Sequence, residues 1–404
     1  MKTLDIYYGD RPVAELGLTD SGQYVLTYHK SWVKSGFGVS VNLPLSASEY
    51  EGELVRCFFE NLLPEGRIRE ELARRFGVDR ENTYALLERV GRDCAGAFSI
   101  GNDGQRGFYT ALTPEETERL LPPLAPDWVR EFPIGSTLSL AGAQDKMVLF
   151  RKDGCFYLPQ EGVASNCIIK TPIRGLQHSV HNEYLCMQLA ADAGLPVAET
   201  ETVRLPQTEV LLIKRFDRRG EDFHPQRIPQ EDFCQMSGLS SACKYERDGG
   251  PGFGACAELI RRYSCRSASD LLLLVRWAAF NLCIGNNDAH AKNISMLREK
   301  RSYCLAPFYD LISTTYYGRR LSRRLAMCIG GKNRSFWISG GRWARFADDI
   351  KLPVQTVLRL VRSTAEDVLR VLPQTAERVP SEATQSLVLH IRRRCEGVLE
   401  HLES

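Results

Sequence analysis

The sequence predicts an α+β fold with two lobes, a strand-rich N-lobe and a helical C-lobe. Predicted strands are concentrated before residue 216, whereas the chain from Pro229 onward shows the patterns typical of helices. An abrupt change from an apolar strand to a polar segment lies near residue 216. A strand-rich half, a polar junction and a helical half indicate two packed lobes with a cleft between them.

A further small α+β domain is predicted before the two lobes. Its strands are predicted at residues 4–8, 12–16 and 24–29, and its helices at 53–63, 67–76 and 83–90. A polar, Gly-rich connector at 101–107 is the first candidate boundary. The predicted domains are therefore residues 1–108, residues 109–213 for the N-lobe and residues 214–404 for the C-lobe.

Shorter patterns predict the elements of the two lobes. The hairpin signal Lys152-Asp153-Gly154 separates two apolar runs, which we interpret as paired strands. Ser269 and Asp270 are predicted to cap the helix that follows them. The predicted elements are strands at 147–151, 155–158, 167–170 and 211–216, and helices at 180–193, 271–284, 353–370 and 382–399.

Composition excludes several classes of function. The chain has 52 Lys and Arg against 50 Asp and Glu, so no global field would attract nucleic acid or an acidic membrane. The 13 Cys include no Cys-x-x-Cys pair, which argues against a zinc site and favours buried, reduced thiols. The apolar run 271–284 is too short to span a bilayer, and residues 1–6 lack the apolar region of a signal peptide. We therefore expect a cytoplasmic protein with no membrane contact.

The segment 284–293 carries the strongest chemical signal. Asp288 and Asn293 have the Asp-x-x-x-x-Asn spacing of protein-kinase catalytic loops, where the Asp takes the proton of the attacking hydroxyl and the Asn holds magnesium. Asp310 follows within apolar neighbours, where a second metal ligand would lie. The alternative is that Gly285 and the Asn residues after it merely end a helix.

Other parts of a phosphoryl-transfer site are present in the order that the chemistry requires. Small residues at 136–146 could bring backbone amides close to phosphates, and Lys170 ends an apolar strand with Glu183 on the next predicted helix. Extended backbone at 214–217 could pair with adenine, with Asp217 near the ribose. Alone, each could be an ordinary loop, a solvent-facing lysine or a surface junction. Together they predict a kinase that uses ATP and Mg²⁺.

Several motifs follow one another along nearly the whole chain. They are Phe58 to Gly66, Ser139 to Lys146, Leu212 to Arg218, Pro229 to Gln235, Lys244 to Glu246, Asp248 to Gly252, Asn287 to Asn293, Pro307 to Asp310 and Ile329 to Lys332. In this order they resemble the HipA family of serine/threonine-kinase toxins from bacterial toxin–antitoxin modules. The resemblance implies a two-lobed protein-kinase-like fold with an extra N-terminal domain.

The resemblance implies a role for each matching residue. Asp288 would be the general base, Asn293 and Asp310 the magnesium ligands, and Glu183 the ion-pair partner of the strand lysine. Ser139 would be autophosphorylated, which adds negative charge to the phosphate loop and shuts the enzyme off. The residues implied to bind nucleotide are Ala141, Gly142, Ala143, Gln144, Asp145, Lys146, Lys170, Lys214, Arg215, Phe216, Asp217, Gln230, His290 and Tyr309.

The resemblance also implies partners. They are a small helix-turn-helix antitoxin, DNA only indirectly through that antitoxin, and a protein substrate such as an aminoacyl-tRNA synthetase. Two departures concern the nucleotide site: Lys214 stands where the family can carry Glu, and Ser165-Asn166-Cys167 precedes Lys170 where Ser/Thr-Thr-His is common. Neither change removes a catalytic group.

Two other functions stay open from the sequence. One is a kinase of a small-molecule or lipid hydroxyl, because the same groups would serve any acceptor. The other is a catalytically weak, kinase-shaped partner that grips its antitoxin on operator DNA. Arg319, Arg320, Arg323 and Arg324 could hold an acidic protein, a phosphoserine or DNA, although a solvated basic face is the simpler interpretation.

Overall fold

The computed structural model describes residues 1–101, 107–121 and 145–403. The chain forms two units. Unit 1 comprises Met1–Thr171, Val203–Glu231 and Gln235–Ser241, and unit 2 comprises Pro172–Thr202, Asp232–Cys234 and Ala242–Ser404. The domain limits 1–108, 109–213 and 214–404 stay a prediction.

Unit 1 begins with a five-stranded sheet whose order is β4-β3-β2-β1-β5. Its strands pair antiparallel, and their inward residues, such as Ile6, Leu16 and Leu26, are fully buried. This alternation is what the period of two in a strand requires. The strands are β1 (Lys2–Tyr8), β2 (Arg11–Leu18), β3 (Tyr24–Tyr28), β4 (Tyr50–Glu51) and β5 (Ser99–Ile100).

Four helices accompany this sheet. The three helices predicted from sequence are present within a few residues, and the short α1 was not predicted. Gly77 ends α3 in the left-handed conformation, as Gly does at many helix ends. The helices are α1 (Lys30–Ser35), α2 (Glu53–Glu60), α3 (Gly66–Phe76) and α4 (Thr83–Val90).

A second sheet of unit 1 has the order β10-β11-β9-β7-β8-β6. Its central residues Met147, Leu149 and Ile169 belong to the same hydrophobic core as the first sheet. The chain re-enters the unit through β10, and a separate two-stranded ribbon of β12 and β13 follows the sheet. The elements are β6 (Phe108–Leu112), α5 (Pro114–Arg119), β7 (Lys146–Lys152), β8 (Cys155–Gln160), β9 (Cys167–Lys170), β10 (Thr200–Arg204), β11 (Glu209–Lys214), β12 (Arg218–Arg219) and β13 (Gln226–Arg227).

Unit 2 is built around one apolar helix. This helix, Ser267–Ile284, has the length and composition of a membrane span, but most of it is buried inside the unit. It packs against the helices Phe253–Tyr263, Val354–Arg378 and Thr384–Leu402. It is therefore a core helix. Its helices are α6 (Ser179–Asp192), α8 (Phe253–Tyr263), α9 (Ser267–Ile284), α10 (Gly340–Asp349), α11 (Val354–Arg378) and α12 (Thr384–Leu402), whereas the residues of the short α7 (Phe233–Met236) are divided between the two units.

Two predictions for this half of the chain are wrong. The helix α9 begins at Ser267, and Asp270 lies inside its first turn instead of at its cap, because its carboxylate accepts from Ser264 Oγ and Leu305 N. The region is also not purely helical. A sheet of order β14-β15-β16 is present, with β14 (Gln230–Asp232), β15 (Ser295–Glu299) and β16 (Ser302–Leu305). These strands are too short for their periodicity to stand out in the sequence.

Candidate active site

The end of α9 fixes the start of the candidate catalytic loop. Gly285 is the C-cap, with φ 75° and ψ 38°, and its N–H donates to Asn281 O. A Cβ at this position would lie 1.9 Å from Thr315 Oγ1 and 2.7 Å from Arg394 Nε. Only glycine fits both the left-handed backbone and this close approach. The helix-end interpretation of this segment and the catalytic interpretation are thus compatible.

Gly285→Ala should therefore destabilise the protein by about 2–3 kcal/mol, from left-handed strain plus steric overlap. Chemical unfolding in urea would measure the loss. The matched control is Gly249→Ala, which also has positive φ (91°) but meets no atom within 4 Å. The control carries the strain without the overlap. Equal losses in the two variants would contradict the packing argument.

Hydrogen bonds within the loop position Asp288. Asn286 anchors the loop to α9, with Nδ2 2.9 Å from Asn281 Oδ1, and its own Oδ1 accepts from Asp288 N at 3.0 Å. The carbonyl of Asp288 accepts from His290 N at 2.8 Å and from Asn293 Nδ2 at 3.0 Å. The backbone of Asp288 is thus held by buried neighbours, while its side chain is exposed.

The last of these bonds explains the Asp-x-x-x-x-Asn spacing. Because Asn293 uses its Nδ2 on the Asp288 carbonyl, its Oδ1 points elsewhere, and no group in the described parts of the chain donates to that oxygen. An amide oxygen of this kind is a ligand that Mg²⁺ accepts. The arrangement fits a metal held beside the base.

Tyr245 contacts the candidate base directly. Its hydroxyl donates to Asp288 Oδ1 at 2.8 Å, and its ring lies edge-on to His290 with a centroid distance of 5.2 Å. The contact shows that the Asp288 carboxylate can accept a hydrogen bond from a hydroxyl group. Tyr245 belongs to a motif of the sequence, but no local pattern connects it with Asp288, which lies 43 positions away.

Asp310 has a backbone conformation that is uncommon for its residue type. Its φ is 61°, in the left-handed region, and its carbonyl accepts from Asn286 Nδ2 at 3.4 Å. Residues held in sparsely populated conformations cluster at functional sites. Asp310 is thus linked to the same loop as Asp288 through Asn286.

Tyr309 and Lys292 form buried contacts that stabilise the candidate catalytic loop. The hydroxyl of Tyr309 donates to Lys292 O at 2.7 Å and lies 2.6 Å from Ser295 Oγ, and burial raises the pKa of this phenol. Lys292 Nζ forms a buried ion pair with Asp232 at 3.0 Å, which sequence reasoning missed because the partners are 60 positions apart. These contacts give Tyr309 a structural role, and its predicted nucleotide contact stays a prediction.

Two of the residues predicted to hold phosphates, Lys146 and Lys170, lie in the second sheet of unit 1. Lys170 is buried at the end of β9, where it pairs in register with Lys146 on one side and Leu211 on the other. Asp145 lies 3.5 Å from Arg67, and burial raises the pKa of its carboxyl although Arg67 opposes this. Lys170 and Lys146 are thus brought together by strand pairing, as a cationic site for phosphates requires.

Five predicted site residues lie outside the described residues: Ser139, Ala141, Gly142, Ala143 and Gln144. Of the others, Glu183 is buried on α6 and Gln230 begins β14. The pairing of Glu183 with Lys170 and the nucleotide contact of Gln230 stay predictions.

The segment 214–217 departs most from its expected role. Lys214 is exposed at the end of β11, and Arg215 N donates to Asn166 O at 2.9 Å. The side chains of Arg215 and Asp217 are buried and form an ion pair of 2.7 Å. The Asp217 carboxylate also accepts from Gly96 N at 2.7 Å. These contacts do not favour a ribose-binding role for Asp217, which stays a prediction, as do the adenine contacts of Lys214, Arg215 and Phe216.

This ion pair belongs to a larger buried cluster that sequence reasoning missed. Asp93 accepts from Arg218 at 2.8 Å and forms an ion pair with Arg227 at 3.1 Å, and Arg218 also contacts Asp217 at 2.9 Å. Burial alone would raise the pKa of Asp93, but Arg218, Arg227 and Arg215 outweigh it and hold that pKa well below its usual range. Burial and the neighbouring Arg215 lower the pKa of Arg218 to about 10. No local pattern around residue 93 signals the cluster.

Comparisons with known proteins define the class of the protein. A solved complex of HipA, HipB and operator DNA from Shewanella oneidensis MR-1 contains a chain that superposes with a TM-score of 0.88 at 28% identity, covering 99% of this chain and 97% of that one. This likeness confirms the predicted α+β, kinase-like fold with a strand-rich N-terminal region.

Sequence relatives and domain matches then give the family. The HipA N-terminal domain matches residues 4–101, and the HipA-like C-terminal domain matches residues 138–372. "Putative kinase Y4mE" of Sinorhizobium fredii is 36% identical over 393 residues, covering 93% of each chain. "Serine/threonine-protein kinase toxin HipA" of Shewanella oneidensis is 30% identical over 428 residues, covering 98% of this chain and 96% of the relative. The chain belongs to the HipA family, and the prediction of a kinase is confirmed.

Proposed function

We propose that this kinase transfers the γ-phosphoryl group of ATP, with Mg²⁺, to a serine or threonine hydroxyl of a protein. The observation that carries the proposal is the pairing of Asp288 and Asn293. One bond of 3.0 Å fixes both residues and leaves Asn293 Oδ1 for a metal, while the Asp288 carboxylate already accepts from a hydroxyl at 2.8 Å. A base and a metal ligand in this relation are the two parts that phosphoryl transfer requires on the acceptor side.

In the proposed reaction, Asp288 accepts the proton of the acceptor hydroxyl as its oxygen attacks the γ-phosphorus, and ADP leaves. ATP supplies the phosphoryl group and Mg²⁺ neutralises its charge. Asn293 and Asp310 would hold the metal through their side-chain oxygens. Lys170 and Lys146 are the proposed cations for the phosphates, and His290, two residues after the base, is the proposed contact of the γ-phosphate. Ser139 is the proposed autophosphorylation site, from the family resemblance.

We infer further that the kinase is the toxin of a toxin–antitoxin module and acts in the cytoplasm. The Shewanella oneidensis relative is named a serine/threonine-protein kinase toxin, and the solved complex holds HipA with HipB and operator DNA. These names support a small DNA-binding antitoxin as the partner, with DNA reached through it. An aminoacyl-tRNA synthetase is the proposed substrate class, on the family resemblance alone.

Incubation with ATP and Mg²⁺, followed by mass spectrometry, tests the proposal. We expect phosphate on Ser139 of the unmodified protein, none when EDTA is added, and at least about a hundredfold less in Asp310→Asn, because a metal ligand is lost. Asn tolerates the left-handed backbone of position 310, so the variant should keep its unfolding temperature. Growth arrest on expression should also be lost in Asp310→Asn. Antitoxin binding without phosphate on any protein would instead favour a kinase-shaped binding partner.

A further inference from the structure

A strongly basic segment adjoins the candidate catalytic loop. Residues 319–337 contain six cationic residues and no Asp or Glu, although the whole chain is nearly neutral at +2. The cations are Arg319, Arg320, Arg323, Arg324, Lys332 and Arg334. We call these residues, with the exposed Phe336 and Trp337, the basic surface.

Hydrogen bonds place the basic surface beside the catalytic aspartate. Asn287, the residue before Asp288, donates from Nδ2 to Ser322 O at 3.0 Å, and its carbonyl accepts from Ala326 N at 2.9 Å. Arg323 and Arg324 lie between these two attachment points in the sequence. Their backbone is therefore held at the loop that carries the proposed base.

The second half of the segment runs back alongside the first. Leu325 N donates to Asn333 O at 2.7 Å, and Ile329 and Lys332 exchange two backbone bonds of 2.9 and 3.1 Å around the Gly330–Gly331 turn. Arg324 and Arg334 flank the Leu325–Asn333 contact in the sequence. The cations of both halves thus lie on two backbone segments that are hydrogen-bonded to each other.

Among the residues that the structure describes, none neutralises the charges of this surface. Arg319, Arg320, Arg323 and Arg324 are exposed. Among the described residues, no carboxylate lies within 4.0 Å of a cationic group of the basic surface. Within the described ranges, Arg320 is the one cation of this surface whose side chain forms a hydrogen bond, to Gly175 O at 3.0 Å. Six cations close together repel one another, so an anionic ligand would be attracted to this surface.

The aromatic residues indicate which kind of anion fits. Trp337 and Phe336 are 48% and 61% exposed, and their rings contact each other edge-on at 5.2 Å. Lys332 Nζ and the Arg334 guanidinium lie 5.6 and 5.5 Å from the Trp337 centroid. Because the indole is engaged by these cations, it is less available for stacking on a nucleic-acid base, which is how single-stranded nucleic acid is usually held. Carboxylates would pair with the cations without displacing them from the ring.

We propose that the basic surface binds an acidic segment of the protein substrate, next to the serine or threonine that Asp288 serves. The inference rests on the proposed protein-kinase function and adds the chemistry of the acceptor's flanking sequence. Glu and Asp residues near the acceptor hydroxyl would meet Arg323 and Arg324. Charge complementarity of this kind governs which partner docks and how fast it does so.

A binding assay that needs no catalysis tests the surface. Fluorescently labelled serine peptides would carry four Glu, four Gln or four Lys beside the same serine, and anisotropy would measure their binding to the full chain without ATP. We expect the Glu peptide to bind at least tenfold tighter than the Gln peptide at low salt. Arg323→Glu with Arg324→Glu should abolish that preference, since neither side chain makes a hydrogen bond or ion pair among the described residues.

The matched control is Arg392→Glu with Arg393→Glu, two exposed arginines on α12. It makes the same change in net charge elsewhere and should keep the preference. Equal binding of Glu and Gln peptides, or a preference that survives Arg323→Glu with Arg324→Glu, would overturn the proposal. The proposal would also be overturned if a single-stranded RNA 20-mer bound through Arg323 and Arg324 while the Glu peptide did not bind.

Adding ATP and Mg²⁺ separates this proposal from the proposed function. Phosphorylation of the Glu peptide at a kcat/KM at least tenfold above that of the Gln peptide supports both. Selective binding of the Glu peptide with no phosphate on peptide or protein would support the surface and contradict the kinase function. Autophosphorylation without any selectivity for the Glu peptide would support the kinase function and contradict the proposed role of the basic surface.

Discussion

Asp288→Asn should abolish most phosphoryl transfer, with a loss of about 10²–10⁴-fold in kcat, because a positioned general base contributes on that scale. The substitution removes the proton acceptor and little else. The hydrogen bonds that hold residue 288 use its backbone N and O, and an Asn side chain can still accept from Tyr245. Phosphate incorporation from ATP into the protein and a serine peptide would measure the effect, with the unfolding temperature recorded in parallel.

The control for this variant is Asp248→Asn. Asp248 is an exposed acid of unit 2 whose ion pair, with Arg247, lies between neighbours in sequence at 3.4 Å. Its substitution makes the same change in charge and should leave kcat within about twofold, because a surface charge of this kind contributes little. A comparable loss in both variants, or an active Asp288→Asn protein, would remove Asp288 from the role of base.

Asp93→Asn should be the most destabilising single substitution considered, at about 3–5 kcal/mol, because it leaves buried arginines without their counter-charge. Asp93 is fully buried and pairs with Arg215, Arg218 and Arg227. Asp217 would then be the single carboxylate left to the cluster among the described residues. Urea unfolding at neutral pH would give the difference in the free energy of unfolding.

The control for stability is Asp222→Asn. Asp222 pairs with Lys152 at 2.6 Å but is almost fully exposed, so its removal should leave the free energy of unfolding nearly unchanged. If Asp93→Asn is as mild as Asp222→Asn, the cluster does not stabilise the fold.

The cluster also predicts how stability depends on pH. The folded-state pKa values of Asp93 and Asp217 are lowered from the ordinary 3.8 by the surrounding arginines, against the opposing effect of burial. A lowered carboxyl pKa stabilises the folded state above the unfolded pKa, and that contribution is lost as pH falls toward the folded pKa. We therefore expect the unmodified protein to lose stability below about pH 4, with a smaller acid-induced loss in Asp93→Asn.

The sequence by itself predicted the fold class, which is confirmed, and the residues of the candidate catalytic loop, whose roles stay a prediction. Turn residues and apolar periodicity located the strands and helices of the lobes, because these signals are local. The order of Lys170, Glu183, Asp288 and Asp310 predicted phosphoryl transfer, since that chemistry requires the same groups in any kinase. Gly285 was also predicted as a helix end, and the left-handed backbone explains why glycine stands there.

Only the tertiary structure could decide which side chains engage one another. Asp93 and Arg218 are 125 positions apart and Tyr245 and Asp288 are 43 apart, so no spacing rule connects them. Strand register pairs Asp5 with Glu15, and ligand atoms of these two residues and of His29 lie within 4.8 Å of one another, although their sequence spacing gave no such signal. The prediction for Asp217 shows the physical reason why a local sequence cannot assign a role to a carboxylate. A carboxylate's role depends on whether burial and neighbouring arginines already engage it, and neither is written in its local sequence.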